Sequence, residues 1–193
     1  MSQITVFTNL TLDGVMQAPG RPDEDTRGGF TRGGWAVPYG AMQTPEVGEV
    51  LPGMDALLLG RRTYDDFYGF WPKQDGNPFK DILTNMHKYV VSTTLKEPLE
   101  WENSTLLKGN LPQAVDGIKN GKKDGNIVVM GSGELAQSLM KHNLIDRYVL
   151  LIHPLVLGSG RRLFDDGVNA PAIKLDSAKP TVNGVIVATY QPA

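Results

Sequence analysis

The chain has no cysteine among its 193 residues. That removes disulfides, thiolate nucleophiles and cysteine metal sites, and leaves nothing that demands an oxidising compartment. Its three histidines, His87, His142 and His153, share no metal-ligand spacing, so each reads as a surface or satisfied core imidazole and no metal is expected. Charge of either sign is in little excess: 19 basic against 21 acidic side chains give a formal net charge of -2, which supplies no field for nucleic acid. No apolar run approaches the ~20 residues of a membrane span, and the N-terminus enters a strand-like segment without a basic leader. These absences predict a soluble, cytoplasmic protein whose partners are neither nucleic acid nor membrane. With 40% apolar residues the chain is long enough to bury one substantial core, and without repeats, low-complexity tracts or a linker it reads as a single domain over residues 1–193.

Glycine is what the chain has in quantity, and its placement is informative. Residues 127–130 are apolar with no polar face, as in a strand buried on both sides, and Gly131-Ser132-Gly133 then turns the backbone into an amphipathic helix through Met140. The free peptide N–H groups at such a helix start suit a phosphate or pyrophosphate, although a ligand-free turn uses glycine equally well. The same design occurs earlier. The strand at 56–59 runs into Gly60, Arg61, Arg62 and Thr63, with two guanidiniums and a hydroxyl at a helix start, suited to phosphate oxygens or else a solvated basic pair. A third strand at 88–94 ends in Ser92, Thr93 and Thr94, hydroxyls able to bond a ribose or its 2′-phosphate, or to cap the backbone.

The remaining elements fit between these. A strand at 4–10 exits through Asp13-Gly14, a good turn pair; residues 17–40 form a long loop whose Phe30, Trp35 and Tyr39 are aromatic surface a plain linker does not need, which predicts that it folds back over a pocket. Helices are expected at 44–51, with Thr44 as N-cap, at 78–86 and at 111–118; strands at 105–107 and 147–153; a turn at 120–126; and a closing hairpin from 173–178 and 184–190. Alternating strands and helices point to a mostly parallel sheet covered on both faces.

Six segments then fall into a recognisable order: Thr11-Leu12-Asp13-Gly14, Leu59-Gly60-Arg61-Arg62-Thr63-Tyr64, Val90-Val91-Ser92-Thr93-Thr94, Val129-Met130-Gly131-Ser132-Gly133-Glu134-Leu135, Leu144-Ile145-Asp146 and Pro154-Leu155-Val156-Leu157-Gly158-Ser159-Gly160. In order and spacing they resemble the dihydrofolate reductase-like superfamily, specifically the branch that includes the reductase domain of bacterial riboflavin biosynthesis. The resemblance implies a three-layer α/β/α fold with a mainly parallel central sheet and an antiparallel C-terminal strand, binding NADPH. It places Gly60, Arg61, Arg62 and Thr63 at the phosphates, Ser92 and Thr93 near the adenosine 2′-phosphate, Gly131, Ser132, Gly133, Glu134 and Leu135 at the pyrophosphate, and Asp13, Gly14 and Val15 beside the nicotinamide.

The implied activity is an NADPH-dependent oxidoreductase passing hydride to a small pterin-like or flavin-precursor heterocycle, as in dihydrofolate reductase or 5-amino-6-(5-phosphoribosylamino)uracil reductase. The alternative is a non-catalytic, nucleotide-binding homodimer of the same fold. Asp13 is the candidate proton-relaying residue against a plain turn aspartate, and Arg27, Trp35 and Tyr39 are the candidates for substrate contact from the long loop. A homodimer is expected through Leu155, Val156 and Leu157. Two departures bear on substrate: the helix after the long loop offers only Glu46 and Glu49 where dihydrofolate reductases carry their pterin carboxylate, and no zinc deaminase cluster is present. A Rossmann reading of Gly131 to Ala136 fits less well, because the fingerprint comes late and the next strand ends at His153-Pro154 without a ribose-binding acid.

Overall fold

A computed structural model gives the fold and describes residues 1–50, 53–121, 125–164 and 172–193. Among these, eight strands form one sheet: β1 (Gln3–Thr11), β2 (Met54–Gly60), β3 (His87–Val91), β4 (Ser104–Leu107), β5 (Asn126–Met130), β6 (Arg147–His153), β7 (Ile173–Pro180) and β8 (Ile186–Pro192), in the order β4-β3-β2-β5-β1-β6-β8-β7. All pairings from β4 to β6 are parallel; β8 runs antiparallel to β6, and β7 pairs antiparallel to β8 at the edge. The fold is α/β and dihydrofolate reductase-like.

The central strands are apolar on both sides because each side feeds a separate core. Successive side chains alternate between faces. Ile4, Val6, Ala56, Leu58, Ile127, Val129 and Leu150 meet α4 (Leu111–Gly121) and α5 (Gly133–Lys141) through Val115, Ile118, Leu135 and Leu139. Phe7, Leu57, Leu59, Val128 and Val149 meet α1 (Pro45–Val50), α2 (Arg61–Phe70) and α3 (Pro78–Asn85) through Val47, Tyr64 and Leu83. The two edges are protected differently: β4 is only four residues long, and β7 carries Lys174, Asp176 and Lys179. No helix among the described residues is long and apolar enough to cross a membrane.

Several local expectations shift. β3 ends at Val91, so the hydroxyls lie beyond it, where Ser92 Oγ accepts from the N–H groups of Thr94 and Leu95. Thr44 does not cap α1 with its side chain; its hydroxyl donates to the Ala41 carbonyl of the preceding turn at 2.9 Å. Leu51, expected in that helix, and Lys122, Lys123 and Asp124 of the turn into β5 lie outside the described residues. Lys88, which alternation puts on a strand face, is fully buried, and its ammonium donates to the carbonyls of Leu83, Thr84 and Met86 at the end of α3 while facing the Trp101 ring at 4.3 Å. It thereby satisfies carbonyls that a helix end leaves without partners.

One feature of the topology positions the site. β2 and β5 are neighbours, yet α2 leaves the end of β2 toward one face and α5 leaves the end of β5 toward the other. Diverging connections open a crevice at the carboxyl ends of the strands, the usual ligand position in an open α/β sheet.

Candidate functional site

The crevice holds a cavity of about 1200 Å³, larger than the several hundred Å³ that one small molecule fills. Its upper wall is the pair of glycine turns. They are bonded to each other: the Gly60 N–H donates to Ser132 Oγ at 3.0 Å, and the Ser132 N–H donates to Thr63 Oγ1 at 3.1 Å. The close fit explains Gly131, whose φ of 61° is left-handed and whose missing Cβ would stand 3.3 Å from Thr63 Cγ2. No side chain caps the N-terminus of α2 or of α5, whereas α3, away from this wall, is capped by Asn77 accepting from the Phe79 N–H at 3.0 Å. Two uncapped helix starts side by side present unpaired donors and two positive dipole ends to the crevice.

Guanidiniums complete this wall. Arg27 from the long loop, Arg62 from α2 and Arg161 from the segment after β6 all donate to one oxygen of Glu134, at 3.0, 2.9 and 2.8 Å. One carboxylate is shared by three cations. Arg27 is also forked onto Asp25, at 2.8 Å from Nε and 2.6 Å from Nη2. Arg21 fastens the loop to α2, bonding Asp66 at 2.5 Å and covering the Phe70 ring at 4.2 Å. Burial raises the Glu24 carboxyl, although the Gly20 and Arg21 N–H groups both donate to it. Within the loop, Gln17 is the hub: its side-chain amide donates to the carbonyls of Asp25 and Arg27 and accepts from the Arg161 N–H, and its backbone carbonyl accepts from the Trp35 indole.

Gly60, Arg61, Arg62, Thr63, Ser92, Thr93, Gly131, Ser132, Gly133, Glu134, Leu135 and Arg27 all line this one cavity. Asp13, Gly14, Val15, Trp35 and Tyr39 do not. Asp13 instead accepts from the Thr11 hydroxyl at 2.6 Å and from the N–H groups of Leu157 and Gly158 at 3.1 and 2.8 Å. Those bonds, the Thr11 hydroxyl first, bring its pKa down to about 2, so the group is an ionised acceptor that ties the segment after β6 to the exit of β1. Gly14 and the fully buried Val15 belong to the same joint, the Gly14 carbonyl accepting from the Leu163 N–H and Val15 bridging to Arg162. Leu155 and Leu157 pack on the loop cluster of Val15, Ala18, Phe30 and Trp35, which leaves Val156 as the exposed member of the apolar trio.

Trp35 and Tyr39 stand behind His153, their rings 5.2 and 5.1 Å from it and edge-on. His153 does line the cavity and is fully buried, with Nε2 at 2.9 Å from Asn9 Oδ1 and Nδ1 without a partner. Burial pushes its pKa down to about 4, so at neutral pH the imidazole is uncharged. His153, Asn9 and Arg161 are site residues that the sequence reading passed over. A signal existed for Arg161: Gly160-Arg161-Arg162 after a core strand repeats Gly60-Arg61-Arg62.

The sequence model of the RibD C-terminal domain matches residues 2–187. Two Bacillus subtilis (strain 168) proteins, both uncharacterized, are similar: YyaP, 29% identical over 173 residues that cover 86% of this chain and 89% of its own, and YwjB, 28% identical over 126 residues that cover 65% and 67%. Among solved structures, a candidate riboflavin biosynthesis protein from Shewanella sp. PV-4 superposes with a TM-score of 0.67 at 22% identity over 99% of both chains. Dihydrofolate reductase from Enterococcus faecalis, complexed with NADP(H) and RAB-propyl, does so with a TM-score of 0.60 at 12% identity over 98% of this chain and 94% of its own.

Proposed function

The chain belongs to the RibD C-terminal domain family, and from that membership we propose that it is an NADPH-dependent reductase of a small molecule. The observation that carries the reading is the wall built by two mutually bonded, uncapped helix starts and three guanidiniums from separate elements. Such a wall suits the pyrophosphate and 2′-phosphate of the dinucleotide. Arg61, Arg62 and Thr63 would hold phosphate oxygens, Ser92 and Thr93 at the neighbouring strand end would hold the 2′-phosphate, and the N–H groups of Gly133, Glu134 and Leu135 would hold the pyrophosphate.

When bound, the reduced nicotinamide would supply a hydride to the carbon of a C=O or C=N bond, with a proton from solvent completing the reduction at the heteroatom. The protein's part is to bind and orient. His153, its Nε2 bonded to Asn9 and its Nδ1 buried, backs the cavity floor, and Trp35 and Tyr39 hold the ring in place. Asp13 acts at one remove, by holding the segment that delivers Arg161.

The test is a thermal titration with NADPH and separately with NADH, because a ligand that binds only the folded state raises the midpoint as its concentration passes the dissociation constant. A clear rise with NADPH and a smaller one with NADH supports the reading. No rise with either at millimolar cofactor refutes it. A rise with no oxidation of NADPH by any carbonyl or imine acceptor turns the reading to a nucleotide-binding protein without catalysis.

A further inference from the structure

The cavity is divided by charge. Every charged side chain that lines it comes from the loop at 21–27, from Arg61, Arg62 and Asp66 of α2, from Glu134, or from Arg161 and Arg162. The other limb runs between the turn at 41–43 on one side and the far end of α2 with α3 on the other, over the sheet. Met42, Met54, Phe67, Trp71, Phe79 and Leu83 line it, and the charged side chains nearest to them are the mutually paired Arg21 and Asp66, Arg21 lying over Phe70, whose ring is 5.2 Å from Trp71. Its uncharged polar groups are few. Asn77 is engaged in capping α3, Asn9 is engaged with His153, and Gln43 stands on the turn at 41–43. Glu46 and Glu49, the only carboxylates on the adjoining α1, do not reach the limb, and Glu49 is paired with Lys179 instead.

We infer that the substrate taken by this limb is an uncharged, apolar, conjugated carbonyl or imine compound, and neither a phosphorylated ribosylaminopyrimidine nor a folate. The inference rests on the reading above in one respect, that the dinucleotide occupies the arginine-lined limb. A phosphate entering the apolar limb surrenders its hydration and meets no cation free of a partner, and a protonated pterin ring meets no free carboxylate, because Arg21 and Asp66 at the limb's border are bonded to each other. An uncharged ring surrenders little and gains contact with two methionines and three aromatic rings, side chains that adapt to flat apolar surfaces. The carbonyl or imine end meets uncharged polar side chains, among them Asn9 and Gln43.

The test uses a matched pair of probes on the whole protein, 2-acetylnaphthalene and 6-acetyl-2-naphthoic acid, which share the ring and ketone and differ by one carboxylate, with dihydrofolate as a third. Equilibrium dialysis gives each dissociation constant, and a thermal titration with NADPH runs alongside. The expected result is saturable binding of the ketone at least tenfold tighter than of the acid or of dihydrofolate. In Met42→Lys the preference narrows or reverses, and in Phe79→Ala the ketone weakens without gain for the acid. Equal or tighter binding of the acid or dihydrofolate by the wild type overturns the inference, as does a ketone preference unchanged in both variants, which locates the binding elsewhere. Stabilisation by NADPH without a probe preference sinks this inference and leaves the cofactor reading standing. A probe preference without stabilisation by NADPH does the reverse.

Discussion

Replacing Glu134 by glutamine removes the one negative charge shared by Arg27, Arg62 and Arg161 while keeping a side chain of the same shape. The three contacts span 2.8–3.0 Å, and all four side chains are about half exposed, between 37% and 56%. Exposed pairs of this kind contribute about 0.2–1 kcal/mol each, and the arginines regain water when released, so the folded state loses only about 1 kcal/mol. The effect on an anionic ligand is larger and of opposite sign. For a phosphate roughly 6 Å from the deleted carboxylate, at an effective dielectric of about 40 for a half-exposed site, the removed repulsion is about 1.4 kcal/mol per phosphate charge. On the proposed cofactor reading, NADPH is expected to bind Glu134→Gln about tenfold more tightly than wild type. Calorimetric titration at about 0.05 M and about 0.5 M salt checks both size and origin, since the screening length falls from roughly 14 Å to roughly 4 Å and the advantage shrinks with it. Weaker binding by the variant at low salt refutes the reasoning, because it makes Glu134 an organiser of the arginines that the ligand needs and not their competing partner.

Other expectations follow from single residues. His153 is uncharged in the fold with a pKa lowered from 6.5 to about 4, so the unfolded chain takes up a proton that the native state refuses as pH falls. Stability is fully present above about pH 6.5 and declines toward about pH 4, by about 2–3 kcal/mol from this group; urea midpoints show the decline in wild type and a flatter one in His153→Gln, and parallel curves contradict the assignment. Gly160→Ala places a Cβ 2.7 Å from Val15 Cγ1 and 2.9 Å from Phe30 Cε2 at a φ of 119°, a clash with packed side chains that costs about 2–4 kcal/mol in urea unfolding. An unchanged midpoint there means the loop gives way. Of Leu155, Val156 and Leu157, on which a homodimer is expected, only Val156 stands exposed, at 64%, as the apolar side chain available for such a contact. Light scattering at twice the 21.1 kDa chain mass, reduced to one chain mass by Val156→Glu, supports it, and a monomeric wild type removes it.

What the sequence made legible was whatever a short window determines. Residues 56–59 and 127–130 have no polar side, which specifies a strand covered on both faces, and the glycines that follow each specify where the chain turns. The hairpin near the C-terminus was readable for the same reason. Glu134 shows the limit. It was legible as a residue at a helix start, but its partners lie 107, 72 and 27 positions away, and only the order of strands in the sheet brings them together. Asp13-Gly14 was legible as a turn; that its carboxylate holds Leu157 and Gly158 depends on β1 lying beside β6. Lys88 misleads in the other direction, since a lysine in an alternating strand suggests solvent, and only the end of α3 packed over it supplies three carbonyls to keep it inside.

The mutual clasp of the two glycine turns has a consequence for how such proteins diverge. Because Ser132 both receives the Gly60 N–H and offers its own N–H to Thr63, neither turn has a private hydrogen-bond inventory. A change at 132 alone strands a donor at 60, and a change at 63 alone strands one at 132. The two segments, 69 residues apart at their nearest bonded pair, thus form one unit, and a chimera that joins the first half of this chain to the second half of a relative is expected to keep this wall only where residues 60, 63 and 132 remain compatible.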